Sequence, residues 1–330
     1  MENETITDVL QLGGGTARGT GSIAARLLQS GFDPASLRTN DLLRRDEWIQ
    51  YDQAIIEVAR ERLIGVADLL NAGLRYDIPN GLGTTRLEWE RMGDMDAANI
   101  NMSGVTEGDR DRVVFDLEFM PLPIIHKDFS LNIRVLEASR TTGQPLDVTQ
   151  AAIAARKVAD KTEDLLFNGS YIIGTQGSIY GYRTAPDRNT GSVTADWAAA
   201  TGANIITDVL AMIDLMITDN MFGPYTIYVP YDAHTNMSND FKTESDKTIM
   251  QRVLEVPGIA AVRPSAFIPS GEVIMVMLVR DVVDMVVGMQ PTPLEWSEMG
   301  GLVTKFKVMS IMVPRMKSTY SGQSGIVHLS

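Results

Sequence analysis

Between residues 147 and 169 the apolar positions recur at helical spacing. Val148, Ala152, Ala155, Val158, Ala159, Thr162, Leu165 and Leu166 form one stripe, and Arg156, Lys157, Asp160, Lys161, Glu163 and Asp164 form much of the remaining surface. The pattern predicts one long helix on which the rest of the fold packs. Asp147 is placed to cap its first turn, Gln150 to reach back as a capping-box partner, and Asn168 and Gly169 to stop it in the left-handed region. Alanine in the buried stripe lets a sheet or another helix approach closely. A second amphipathic stripe, Trp48, Tyr51, Ile55, Ala59, Leu63 and Ala67, predicts a helix within residues 41–70, ending near Gly65 or Gly73. Ile205, Val209, Met212, Ile213 and Met216 mark a third, which stops between Asn220 and Pro224.

Elsewhere the period is two. Leu87 and Trp89 alternate with Arg86, Glu88 and Glu90, and Phe115, Leu117 and Phe119 alternate with Asp116 and Glu118. The polar, glycine-containing stretch 93–112 lies between them, so the two strands form a hairpin arm with a long tip. Such a hairpin has little core of its own and needs a partner surface, in this chain or another. Phe129, Leu131, Ile133 and Val135 continue the alternation. A glycine- and tyrosine-rich connection follows Gly169, and residues 225–231 (YTIYVPY) read as a strand. A short helix is expected over 246–254, with strands over 260–263, 272–279, 282–289, 303–313 and 325–329. The fold class is α+β. Residues 1–40, with GGGTARGTGS at 13–22, have no core-forming period and read as a flexible arm.

Composition narrows the function. With 330 residues the chain can bury a large core in one or two domains. A formal net charge of −13 argues against a sequence-reading DNA binder, which needs a basic surface, and leaves room only for local basic patches. The absence of cysteine removes disulfides, thiolate metal sites and cysteine nucleophiles together. Glu2, Glu4 and Asp8 stand where a signal peptide would be positive, so secretion is not expected. The apolar stretch 273–288 is interrupted by Arg280, Asp281 and Asp284 and reads as two strands with a turn, not a membrane span.

Catalytic patterns are missing. His126, His234 and His328 lack metal-ligand spacing, and Ser324 in SGQSG lacks the spacing of a nucleophile elbow. The glycines at 13–22 are not followed by the Gly-Lys-Ser/Thr of a phosphate loop. Glu107, Asp109 and Asp111 suggest a cation site, yet Arg110 and Arg112 interleave with them, which favours a solvated or subunit-contacting charge cluster. No residue pattern calls for a cofactor or an enzymatic activity.

The order of elements and four stretches carry a resemblance. These are 44–63 (RRDEWIQYDQAIIEVARERL), 122–134 (LPIIHKDFSLNIR), 159–169 (ADKTEDLLFNG) and 219–229 (DNMFGPYTIYV). In this order the chain resembles tailed-phage major capsid proteins of the Hong Kong 97-type fold, in the branch that contains encapsulins. The resemblance implies an N-terminal arm over 1–40, a helix and connection over 41–79, and an extended hairpin loop over 80–120. It implies a peripheral domain from 121–176 and 300–330 with its spine helix at 147–168, and an axial domain over 177–299. It further implies a structural subunit of an icosahedral phage head, assembled in the host cytoplasm as pentamers and hexamers. Scaffold, portal or decoration proteins would be its partners, with DNA enclosed without sequence-specific contact and no membrane. The alternative is an encapsulin shell around enzyme cargo. Arg91, Asp94, Glu107, Asp109, Arg110, Asp111 and Arg112, in and beside the loop, would contact neighbouring subunits.

Overall fold

A computed structural model describes residues 55, 63–93, 102, 115–132, 134, 149–172, 177–242, 247–298 and 303–330. The arm, most of the helix expected over 41–70, the Asp147 cap and most of the hairpin tip lie outside them. In chain order the elements are α1 (Gly65–Asn71), β1 (Arg75–Asp77), β2 (Arg86–Met92), β3 (Phe115–Pro121), β4 (Ile125–Asn132) and α2 (Thr149–Asn168). The short strands β5 (Ser170–Ile172), β6 (Gly177–Ile179) and β7 (Asn189–Gly191) precede α3 (Gly202–Thr218) and β8 (Tyr225–Val229). Then come α4 (Tyr231–Asn236), α5 (Ile249–Leu254), β9 (Ile259–Pro264), β10 (Val273–Met277), β11 (Val283–Glu298), β12 (Val303–Met316) and β13 (Ile326–Leu329).

The spine helix α2 buries Ala151, Ala154, Ala155, Val158, Ala159, Leu165, Leu166 and Phe167. Its small residues let it lie close on β4 and β12, where Leu131, Phe306 and Val308 share a core with Val158 and Leu165. Phe129 stacks on Phe306 with ring centroids 5.0 Å apart. The helix ends as expected, at Gly169 with φ +67°. Several positions differ from the sequence reading. The buried stripe takes in Ala151 and Ala154, with Ala152 half-buried, and Glu163, read as surface, is buried. Gly65, read as a stop, instead opens α1, and Gly73, with φ +73°, follows its end.

Two sheets carry the body. One has the order β1-β11-β12-β4, and the other β7-β13-β10-β8-β9. The long antiparallel pair β11–β12 runs from Val283↔Met316 to Glu298↔Val303, with register shifts beside Met289. At Gly288 the β11 backbone passes so close to Gly81 that a Cβ on Gly81 would stand 2.5 Å from it. Helix α3 is capped by Thr201, whose hydroxyl accepts from the Asn204 amide. It buries Ile205, Val209, Met212 and Met216 against the second sheet. A third apolar cluster, with Phe167, Tyr182, Tyr228, Val276 and Met285, joins the two halves.

The strands read over 272–279 and 282–289 are both present. They do not pair with each other: β10 joins the second sheet and β11 the first, so the turn between them passes from sheet to sheet. Strand β11 therefore sits with β4 and β12, and β13 sits between β7 and β10, so strand pairing cuts across the boundaries 177–299 and 300–330. The glycine-rich connection after Gly169 forms the small hairpin β5–β6, and Tyr231 opens α4 instead of ending a strand. Both are too short for a periodic signal.

Candidate functional site

The hairpin β2–β3 pairs Arg86↔Pro121 through Met92↔Phe115, the antiparallel arrangement expected. Directly opposed residues share a face. One face therefore carries Leu87, Trp89 and Arg91 with Met120, Glu118 and Asp116. The other carries Arg86, Glu88 and Glu90 with Phe119, Leu117 and Phe115. The apolar stripes of the two strands thus lie on opposite faces.

The first face turns to the body of the subunit. Leu87 and Trp89 pack on the core under α2. The Arg315 guanidinium lies 5.7 Å from the Trp89 ring and 4.6 Å from the Tyr76 ring. Arg315 in turn is held by Asp284, which Lys317 also approaches at 2.7 Å. Arg91 fastens the far end. It donates to Glu118 Oε1 at 2.5 Å and to the Thr319 carbonyl at 2.6 Å, and it lies 3.1 Å from Asp187. These carboxylates raise its pKa although burial opposes them. Ser318 donates to the same Asp187, so the loop after β12 is tied in as well.

The second face is open in the single subunit. Phe115 and Leu117 keep 59% and 57% of their surface exposed, and Phe119, beneath the Arg86 guanidinium at 3.7 Å, keeps 38%. Three large apolar side chains in a row on one strand face, with only Phe119 covered in part by Arg86, form an exposed contact surface among the described residues.

Of the residues read as inter-subunit contacts, Arg91 is described, and its guanidinium is engaged by its own chain. Asp94, Glu107, Asp109, Arg110, Asp111 and Arg112 lie outside the described residues. The histidines are placed separately. His126 faces Asp128 at 3.3 Å on the surface, His234 lies in the last turn of α4, and His328 is buried in β13. His328 Nε2 lies 2.8 Å from Glu272, and Arg188 Nε lies 3.4 Å from its Nδ1. Glu272 is also gripped at two points by Arg183. Burial holds the His328 pKa below its ordinary value, with Arg188 and Arg183 adding to the effect and Glu272 opposing it. Among the described residues no group of three or more His, Asp or Glu side chains is arranged to hold a metal ion. No described helix is long and apolar enough to cross a membrane.

Sequence reading missed Glu118, Asp187, Arg315 and Asp284, which anchor the hairpin. The signal for them was weak, being single charges on strands or in turns, and the Arg91–Thr319 bond beside them joins residues 228 apart in sequence.

Residues 38–329 match a family of unknown function, DUF6260. The chain belongs to this family. It is 31% identical over 186 residues to the type 1 encapsulin shell protein EncA of Myxococcus xanthus (strain DK1622). That match covers 56% of this chain and 60% of the relative, so the chain spans under two thirds of the relative's length. Among solved structures, a virus-like particle from Pyrococcus furiosus superposes with TM-score 0.60 at 16% identity, covering 86% of this chain and 99% of that one. The capsid of Myoviridae phage XM1 superposes with TM-score 0.60 at 10% identity, covering 79% and 90%. The fold is the Hong Kong 97-type α+β fold shared by phage capsid and encapsulin shell proteins.

Proposed function

We propose that the chain is a shell subunit that assembles with copies of itself into a closed icosahedral container. The observation that carries this reading is the open hairpin face with Phe115, Leu117 and Phe119, held out by Arg91 and Arg315 in a fold whose neighbours build shells. A heterologous contact of this kind, repeated by identical subunits, generates rings and closed shells. The hairpin over 80–120 lies across a neighbour, with Asp94, Glu107, Asp109, Arg110, Asp111 and Arg112 near its tip. The sheet β1-β11-β12-β4 with α2 forms the peripheral unit, and the sheet β7-β13-β10-β8-β9 with α3 forms the axial unit, gathered around five- and sixfold axes. The role is structural, without catalysis.

Within this class we place the chain as the major capsid subunit of a tailed phage, enclosing DNA in the virion. The resemblance to the phage capsid fold and the acidic charge, which suits a wall that need not grip DNA, support it. A second reading, an encapsulin-type shell around protein cargo, is favoured by the 31% identity to EncA. Electron microscopy of the purified chain tests the class: closed shells are expected, and a persistent monomer overturns it. Particles isolated from the natural source then decide the content. Nuclease-protected DNA of genome length marks a phage head, and a co-purifying enzyme without DNA marks the cargo shell.

A further inference from the structure

Glu163 stands on the buried side of the spine helix, 2% exposed, facing the start of α1. Its Oε1 accepts from the Gly65 amide at 2.6 Å and its Oε2 from the Val66 amide at 3.2 Å. The approach requires a glycine, because a Cβ on Gly65 would stand 2.9 Å from Leu166 Cδ2 and 3.1 Å from Glu163 Oε1. Charged and titratable groups face this carboxylate from each neighbouring element, and among the described residues none is a cation paired with it. From α1 comes Asp68, a like charge; its own cation, Arg263, lies 3.6 Å away and reaches Asp68, not Glu163. From β8 comes Tyr228, whose hydroxyl donates to Asp68 at 3.2 Å. From the turn after β6 comes Tyr182, fully buried, with a hydroxyl that makes no hydrogen bond among the described residues.

A carboxylate out of water, with amide donors at Gly65 and Val66, a smaller contribution from the Ile64 backbone, a neighbouring carboxylate and no countercharge among the described residues, holds its proton more strongly than one in solvent. Burial is the main cause, and it pushes the Glu163 pKa up to about 7 against the pull of the amides. We propose that Glu163 is a proton-linked clamp, so that docking of α1 on the spine helix takes up a proton and is tight in acid and loose above neutrality. The clamp is a property of the single subunit and does not depend on the shell reading. It governs the point at which the chain before Gly65 joins the body, since β1 beyond α1 is separately held by its pairing with β11.

The direction follows from linkage. With α1 undocked the carboxyl meets water and returns toward its ordinary value of 4.5, while docked it titrates near 7. Between those values the docked state binds more protons, so the docking constant falls as pH rises, by about 30-fold from roughly pH 5.5 to pH 8. Hydrogen exchange of the full chain tests this, with rates at each pH divided by the intrinsic chemical rate. The protection of the 65–71 amides is expected to drop about 30-fold over that interval while α3 keeps its own. In Glu163→Gln the drop disappears; in Asp68→Asn it persists. Protection of α1 that is independent of pH in the native chain overturns the proposal, as does an unchanged drop in Glu163→Gln or its loss only in Asp68→Asn. Should Glu163→Gln fail to fold, infrared spectra of the native chain decide. A neutral-carboxyl C=O band that titrates near neutrality supports the clamp, and its absence overturns it.

Discussion

Arg315 and Asp284 form a two-point ion pair, Nε–Oδ1 at 2.8 Å and Nη2–Oδ2 at 2.5 Å, with both side chains almost out of solvent. The pair joins β12 to β11 and places the guanidinium under Trp89 of the hairpin. Removing one partner strands a buried charge, so Asp284→Ala is expected to cost about 3–5 kcal/mol in denaturant unfolding of the subunit. The double change Asp284→Leu with Arg315→Met recovers part of that loss, because the apolar pair needs no countercharge while Lys317 still loses its carboxylate partner. A single change that leaves the unfolding midpoint in place contradicts the role assigned to the pair.

The open hairpin face separates folding from assembly. Leu117→Ser removes an apolar group that is already more than half exposed, so subunit stability is expected to shift by no more than about 0.5 kcal/mol. Closed particles, counted by electron microscopy, are expected to fall sharply for Leu117→Ser combined with Phe115→Ser. Normal particle yield from that double variant refutes the hairpin contact.

His328 gives a pH dependence of opposite sign to Glu163. Its folded pKa lies below the ordinary 6.5, so between those values the unfolded chain binds more protons. Stability is therefore full above about pH 6.5 and declines as pH falls toward the lowered value. The difference in unfolding free energy between native chain and His328→Gln, taken at each pH so that the Glu163 contribution cancels, is expected to narrow in favour of the variant from about pH 6.5 to pH 5. A difference that stays flat over that range excludes a neutral His328 in the fold.

Much of this architecture could be read from sequence, and the failures have physical reasons. The spine helix, the hairpin, β4, β8 and the stop at Gly169 were legible because each rests on a run of periodic residues or on a backbone conformation that favours glycine. Alternation within a strand fixes two faces but not which face meets the partner's apolar residues, so the opposed stripes of β2 and β3 emerged only with the register. Glu163 lies among six charged residues between Arg156 and Asp164, and nothing local marks it as the one that turns inward. The anchor from Arg91 to Thr319 spans nearly the whole described chain and has no sequence signature at all.

Covalent welding of a shell would also be legible in the sequence. The chain has no cysteine, and its first lysine, Lys127, lies on β4, past the hairpin. The tip stretch 93–112 contains arginines only, and a guanidinium stays protonated and is a poor nucleophile. Particles boiled in detergent without reductant are expected to run as a single band at 36.2 kDa. A ladder of multimers would overturn the expectation of a purely non-covalent contact.

The position of β13 bears on the order of events during synthesis. It occupies an interior place in its sheet, with β10 on one side and β7 on the other, and its side chains are all buried. The remaining strands of that sheet are translated earlier and leave a gap that only residues 326–329 fill. A nascent chain therefore holds an unsealed sheet until residues 326–329 emerge from the ribosome, at about 5–20 residues per second. Any chain cut short before that point lacks the strand that closes the sheet. Products terminated before residue 326 thus keep an open strand position between β10 and β7.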